Sequence, residues 1–349
     1  MQDIKSLISE KQEYSKQDIV SLLQVSDSEV LNELYELADR IREKYVGNVI
    51  NVYGIIEFSS YCDKNCLYCG VRRNNEKLHR YRMTEEKILD CAQKAKTLGY
   101  KTIILQSGED PGYDIDTLTR IIKTIKHQTG LGISLNVGEK TDIEYKLMRE
   151  AGADEFILKH ETSDPILYRQ LHPDLKFSNR IKCLRTLKKL GYITGSGMMV
   201  GLPGQTLESI ANDILLLKSM DIEFIDIGPY LPHPNTPLSE KFYQTGGYFA
   251  PAIGYFNIEE MIYKIIAISR IVTKTAIIPS ITPLDFINSK NCRENALESG
   301  ANAYTSNLTD LDFRPCYEVY PAKTYPANLK LQSVEEVAYK LKKLKREIQ

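Results

Sequence analysis

Cys62-Asp63-Lys64-Asn65-Cys66-Leu67-Tyr68-Cys69 sets three cysteines at C-x3-C-x2-C spacing, with an aromatic residue just before the third. Three thiolates this close in the chain can point at one centre. Soft sulfur ligands select zinc or iron–sulfur clusters. A structural zinc site closes on four ligands, and no fourth ligand stands near: the next histidine, His79, is ten residues beyond Cys69. A four-iron cluster held by three cysteines keeps one iron open, which is useful where a substrate must be reduced in contact with it. Three unrelated buried thiols or a zinc hairpin are the alternatives that spacing leaves open.

Working outward, Val49–Phe58 reads as a strand that delivers the chain into the cysteine loop. After the loop, helical and strand patterns alternate. Thr84–Leu98 is a helix with Thr84 as its cap, followed by strand Thr102–Gln106, helix Ile115–Gln128 and strand Gly132–Asn136. Next come helix Ile143–Ala151, strand Glu155–Lys159, helix Ser178–Leu190, strand Gly195–Val200, helix Leu207–Met220 and strand Phe224–Gly228. The series ends with helix Ile258–Val272, strand Ala276–Ser280, helix Arg293–Ser299 and a short strand Ala303–Thr305. Repeated β-α units imply a parallel sheet. Eight of them imply an α/β fold, a complete (β/α)8 TIM-type barrel; a doubly wound open sheet is the other arrangement, but it does not need eight units. The expected organisation is an N-terminal helical cover over 1–47, the barrel over 48–305, and a C-terminal loop and helix over 306–349. The cover includes a helix from Asp27 or Ser28 to Tyr45. The tail has a Tyr- and Pro-rich loop, a helix from Ser333, and a basic end, Lys340–Arg346, read as a solvated face.

With 45 Lys and Arg against 46 Asp and Glu, the 349-residue chain has a net charge of −1. No nucleic-acid or anionic-lipid footprint follows from that balance. No apolar run reaches the roughly 18–20 residues that span a bilayer. Met1-Gln2-Asp3-Ile4-Lys5 lacks the apolar region of a signal peptide. Seven cysteines, three of them in a ligand pattern, point to a reducing cytoplasm and not to a disulfide framework. Cys91, Cys183, Cys292 and Cys316 read as buried free thiols. A monomer is expected, because the barrel accounts for the apolar periodicity without a spare patch.

Active sites of β/α barrels lie at the C-terminal ends of the strands. There the sequence places Gln106-Ser107-Gly108-Glu109-Asp110-Pro111, His160-Glu161-Thr162, Gly201-Leu202-Pro203-Gly204-Gln205-Thr206, Pro229-Tyr230 and Pro232-His233-Pro234. His160 and His233 follow strands and are candidates to face the cavity, as are Tyr230, Tyr304, Tyr317 and Tyr320. His79, His127 and His172 read as surface or loop residues.

The cysteine motif resembles the signature of radical S-adenosylmethionine (SAM) enzymes. That resemblance implies a 4Fe-4S cluster on Cys62, Cys66 and Cys69, SAM chelated at the open iron, and Tyr68 against the adenine. It also gives the strand-end groups uses. Gly108-Glu109-Asp110 offers a close backbone approach with carboxylates for an ammonium group. Glu161 can accept two hydrogen bonds from a ribose diol. Arg180 can pair with a carboxylate. The backbone of Val200 to Leu202 can edge an adenine. Gln106 and Lys159 complete the expected SAM-binding set.

Further stretches are similar to the radical SAM maturases of iron–iron hydrogenase, the HydE family, in the biotin synthase and methylornithine synthase (PylB) group. They include Arg80-Tyr81-Arg82-Met83-Thr84, Leu105 to Pro111, Met199 to Thr206, Gly228-Pro229-Tyr230 and Val319-Tyr320-Pro321. The resemblance implies reductive cleavage of SAM to a 5′-deoxyadenosyl radical, acting on a small iron–carbonyl–cyanide–cysteine complex inside the barrel. It implies an electron donor such as ferredoxin or flavodoxin, and other hydrogenase maturases as partners. A methylornithine synthase-like lysine mutase, or a relative using another small amino-acid or thiol-derived substrate, is the alternative. A non-catalytic metal carrier would not need the set around Glu109, Glu161 and Arg180. Departures are visible too. Position 159 is often Arg in the family, and Lys159 is a weaker bidentate clamp. The tail has only Cys316, so no second cluster is expected. Ser280-Ile281-Thr282-Pro283-Leu284-Asp285 departs from the Thr-rich run of the family where substrate should lie. The roles of Ser280, Thr282, His233 and Cys316 stay open.

Overall fold

β1 (Val49–Ser59) shows how the sequence builds the barrel. Ile50, Val52, Ile56 and Phe58 join the main core on one face, whereas Tyr53 and Ile55 pack with a separate inner group containing Ile104, Ile157 and Phe224. Alternation along a strand separates an outer, helix-covered face from the barrel interior. Glu57 lies on the interior set and reaches the cavity.

A computed structural model describes residues 7–8, 13–244, 257–287, 291–321 and 330–349. The expectations for 1–6 and 9–12 of the N-terminal cover, and for 322–329 of the Tyr- and Pro-rich loop, lie outside the described residues. After β1 come β2 (Thr102–Ser107), β3 (Gly132–Asn136), β4 (Glu155–Ile157), β5 (Ile193–Val200), β6 (Phe224–Pro229), β7 (Pro279–Ser280) and β8 (Ala303–Asn307). They pair in parallel in the order β6-β5-β4-β3-β2-β1-β8-β7. The ring closes between β6 and the approach to β7. Ile225 N–H donates to Ile277 O at 2.8 Å, and Ile277 N–H to Glu223 O at 2.7 Å. The expected barrel is therefore present.

The intervening helices start where local chemistry starts them. α1 (Lys16–Leu23) has a capping box between Ser15 and Asp18, and α2 (Ser28–Val46) has Asp27 as N-cap. Thr84 caps α3 (Glu85–Thr97), Asp114 caps α4 (Ile115–Thr129) and Thr141 caps α5 (Asp142–Glu150). α6 (Pro165–Leu171), α7 (Phe177–Lys189), α8 (Leu207–Ser219) and α9 (Pro237–Gln244) follow. α10 (Ile258–Thr273) is buried at every position from Met261 to Val272. Such a helix needs cover on both sides: the sheet lies inside it, and α1 and α2 lie outside. α11 (Cys292–Glu298), α12 (Val334–Leu341) and a two-residue strand β9 (Glu347–Ile348) follow, with short 3-10 turns over Thr282–Phe286, Arg314–Cys316 and Lys342–Leu344. β9 pairs in parallel with the start of β1.

Several expectations need correction. α6 and α9 were not expected, although Asp164-Pro165 and Thr236-Pro237 place Pro at a helix start, where its missing N–H costs nothing. The seventh strand, expected over Ala276–Ser280, is only Pro279–Ser280; Pro279 has no N–H for the ladder. Within the basic end Lys342, Lys343 and Lys345 are exposed, as a solvated face requires, but Arg346 is not. Arg346 is nearly buried, donates to Ala301 O and Leu297 O at 2.9 Å, and pairs with Asp39. Lys340 reaches the Tyr304 hydroxyl at 3.1 Å. Cys91, Cys183 and Cys292 are buried free thiols as expected, but Cys316 is half-buried.

Candidate active site

The chain leaves β1 into the cysteine loop, and backbone hydrogen bonds sew that loop to its surroundings. Asp63 N–H donates to Glu109 O (3.0 Å), Leu67 N–H to Leu171 O (2.9 Å) and Gly70 N–H to Val319 O (3.0 Å). The Asn65 amide is held by Asp174 at 2.7 Å. Gly108 allows the loop to sit this low: a Cβ there would lie 2.3 Å from Tyr61 O and 2.7 Å from Cys62 Cβ. Asp110, expected with Glu109 to meet an ammonium group, does not line the cavity and is instead the anchor of the loop. Both its oxygens receive the Arg82 guanidinium, at 2.7 and 2.8 Å, and it also holds Ser59 Oγ and Gly112 N–H. Burial alone raises this carboxyl, but these donors outweigh it and leave its pKa below the usual value.

Cys62, Cys66 and Cys69 line one end of a cavity of about 290 Å³ inside the barrel mouth. Gln106, Gly108, Glu109, Lys159, Glu161 and Arg180 line the same cavity, with Tyr68. Burial pushes all three thiols up, Cys69 to about 12. Buried thiols become good ligands only when a metal draws off their protons. Three such sulfurs at the head of one cavity suit an iron–sulfur cluster, which Cys62, Cys66 and Cys69 would hold. Among the described residues, no three His, Cys, Asp or Glu side chains form a site for a single ion.

Around this face each expected residue has a definite place. Glu161 is held at φ 62°, a left-handed conformation that costs a non-glycine residue about 1 kcal/mol or more. Glu161 N–H bonds to Gly197 O, and Met199 N–H to Glu161 O, both at 3.0 Å. Its buried Oε2 has no hydrogen bond. Lys159 Nζ lies 3.4 Å from that oxygen and 3.5 Å from Asp226 Oδ1, which also lacks a hydrogen bond. Burial lowers the Lys159 pKa, yet Asp226 and Glu161 together raise it above the ordinary value. Glu109 lies 3.6 Å from Lys64, and burial raises its carboxyl despite Arg180 and Lys64. Gly138 at φ 76° makes room for it, since a Cβ would lie 2.0 Å from Glu109 Cγ. Gln106 accepts from Asn136 Nδ2 at 3.2 Å.

Three placements differ from the expectation. Arg180 is already engaged, by Glu139 at 2.7 Å and by Lys159 O at 2.5 Å. Val200 and Leu202 are buried off the cavity wall. The nearby backbone groups are also taken: Tyr230 N–H donates to Val200 O, and Gln205 Oε1 receives the Gly201 and Leu202 amides. His172 is no surface residue. It is buried, and its Nε2 lies 2.9 Å from the Tyr68 hydroxyl while Nδ1 lies 2.9 Å from Tyr168 O. Burial and the Arg180 charge push its pKa down to about 3. The ring is neutral, so Nδ1–H donates to the carbonyl and Nε2 accepts from Tyr68.

His160 and His233 do not line the cavity: His160 bonds Ser196 Oγ at 3.0 Å, and His233 meets Glu318 at 3.3 Å. Tyr317, Tyr320 and Thr282 do line it; Tyr230, Tyr304 and Ser280 do not. Glu57 and Asp226 were missed. Both sit mid-strand at inward positions, and only the alternation along β1 and β6 could have flagged them.

Residues 56–217 match the Radical SAM superfamily. The [FeFe] hydrogenase maturase subunit HydE of Thermotoga maritima is 43% identical over 314 residues, 90% of this chain and 86% of that one. The chain belongs to the radical SAM superfamily. Within it, the 3-methylornithine synthase of Methanosarcina acetivorans is 32% identical over 296 residues, covering 84% of this chain and 79% of that one. A crystal structure of methylornithine synthase (PylB) superposes with a TM-score of 0.82 at 26% identity, over 99% of this chain and 97% of that one. HydG, a maturase of the [FeFe]-hydrogenase, superposes at 0.79 with 20% identity over 99% of this chain and 74% of that one, and shares the fold. Radical SAM enzymes use a 4Fe-4S cluster and SAM, and this chain is such an enzyme.

Proposed function

We propose that this protein is a HydE-type maturase, acting on a small iron–carbonyl–cyanide–cysteine complex in its barrel during assembly of the iron–iron hydrogenase cofactor. The observation that carries the reading is the 43% identity to HydE over 90% of the chain. A cytoplasmic location, a ferredoxin or flavodoxin as reductant, and work alongside other maturases belong to the same proposal. Among the described residues no helix is long and apolar enough to cross a membrane.

Cys62, Cys66 and Cys69 are the residues to hold the cluster. When bound, it supplies the electron that splits SAM into methionine and a 5′-deoxyadenosyl radical. Glu161 offers a carboxylate oxygen without a hydrogen bond to a ribose diol, and Glu109 offers a carboxylate to an ammonium group. His172 fixes the Tyr68 hydroxyl, and with it the ring beside the cysteines. Gln106, Lys159 and Arg180 complete the wall. The enclosing barrel keeps bulk water from the reacting atoms.

Anaerobic reconstitution with iron and sulfide, followed by reduction with SAM and the iron complex, tests this reading. Wild type should yield 5′-deoxyadenosine and a modified complex; Cys62→Ala should yield neither and should bind no cluster. Turnover of lysine in place of the complex is the outcome favoured by the likeness to PylB, and it would replace the maturase reading.

A further inference from the structure

The loop that follows the cysteines carries charge out of proportion to the chain. Between Tyr61 and Arg82 stand Lys64, Arg72, Arg73, Lys77, Arg80 and Arg82 against Asp63 and Glu76, in a protein whose net charge is −1. Half of these cations have structural work. Arg80 donates to the carbonyls of Ser60, Val71 and Arg72; Arg82 grips Asp110; Lys64 pairs with Asp63. Arg73 and Lys77 differ. Both are exposed, with Glu76 exposed between them; Arg73 donates to Asp63 O at 3.0 Å, but among the described residues neither cation has a carboxylate partner. Buried Asn75 between them, and Val71 and Leu78 on either side, anchor the segment, so the two charges stand on a fixed platform.

This platform lies directly behind Cys69. The Val71 and Arg72 amides lie against the Cys69 sulfur, Arg72 N–H also donates to Cys69 O at 3.2 Å, and Arg73 N–H donates to Lys64 O at 2.7 Å. One residue separates the Cys69 sulfur from solvent along this path. On the other side of the cysteine loop the surface is acidic in balance: a groove there is lined by eight carboxylates, Asp114, Glu139 and Asp174 among them, against Lys64, Lys140 and Lys182. Paired patches of opposite sign orient a charged partner before contact.

We infer that the face bearing Arg73 and Lys77 is the docking surface for a small acidic one-electron carrier protein, which passes its electron inward past Arg72 to the group held by Cys69. One electron leaves the carrier, which is oxidised by one; the cluster is reduced by one; no atom or proton is transferred. The inference rests on the cluster that the family carries, and it stands whether or not the barrel substrate is the iron complex.

The test uses reconstituted, cluster-loaded protein and flavodoxin as the probe. Calorimetry measures binding of oxidised flavodoxin, and stopped-flow bleaching of the cluster measures reduction by flavodoxin hydroquinone and, separately, by dithionite. Arg73→Glu/Lys77→Glu should weaken binding and slow flavodoxin reduction by about tenfold or more, while abolishing most of the salt dependence seen in wild type. Dithionite reduction should stay within about twofold, and Lys146→Glu on the outer face of α5 should change nothing. Wild-type binding and flavodoxin rates in the double variant would overturn the inference. Should Arg73→Glu also slow dithionite, Lys77→Glu alone decides: slower flavodoxin reduction with normal dithionite sustains the surface, and an unchanged flavodoxin rate removes it.

Discussion

Glu161 shows how much a single residue contributes to this site. Its backbone is held in a left-handed conformation, and its buried Oε2 makes no hydrogen bond, with only the Lys159 ammonium nearby at 3.4 Å. Glu161→Gln keeps the shape and halves the acceptor capacity. We expect SAM to bind about tenfold more weakly, the loss of one hydrogen bond to a charged group, with iron content unchanged; calorimetry with cluster-loaded protein measures it. Tyr68→Phe removes the bond to His172 and leaves a neutral imidazole nitrogen unsatisfied in the interior. A loss of about 1–3 kcal/mol in stability is expected by denaturant titration. Sequence reading reached Glu161 and Tyr68, because both sit in motifs. It missed His172, whose role depends on α6 bringing it back under Tyr68. The histidine itself carries no local sign of burial.

At the level of elements, the cysteine loop is only as rigid as what ties it down. Asp110 gathers Arg82, Ser59 and Gly112 on one carboxylate. Its pKa is depressed, so this contribution is complete above the ordinary carboxylate value and is lost as pH falls through the lowered one. Asp110→Asn removes the charge that Arg82 needs and should speed proteolytic cleavage between Cys62 and Arg82, as read by limited digestion of the metal-free protein. Most strands and helices were legible because caps and alternation agree there. Thr84, Asp114 and Thr141 each start the helix that the pattern predicts. β7 was overextended because an apolar run does not reveal that Ile277 bonds to β6 rather than to the ladder beyond it. In the tail Arg346 was misread, because it looks as solvated as Lys342, Lys343 and Lys345 until Asp39 and the carbonyls of Leu297 and Ala301 are brought to it.

For the whole molecule, buried carboxyls set the dependence on pH. Burial pushes Glu57 and Glu155 up from 4.5 to about 7, even though Asn307 and Thr309 favour the ionised form of Glu57 and the Tyr53 hydroxyl that of Glu155. Between those values the folded chain keeps protons that the unfolded chain has released. Stability therefore falls as pH rises from 4.5 to 7 and levels off above, by about 3 kcal/mol for each group. Glu155→Gln should flatten the fall in Tm over that window, as followed by circular dichroism. An unchanged slope would show that Glu155 ionises in the folded protein as it does in water.

The ring seam has a dynamic consequence. β5 and β6 pair over six positions, but β6 meets the β7 approach through one bridge at Phe224 and Ile277. In hydrogen–deuterium exchange, the Ile225 and Ile277 amides should lose protection well before those of Ile104 or Met198. Local opening is cheapest where the fewest bonds must break. Phe224 and Pro279, on either side of this seam, also line the cavity. The place where the cylinder breathes most easily thus adjoins the chamber that must be kept closed during the reaction, on the β6–β7 side of the ring and away from the cysteine loop after β1.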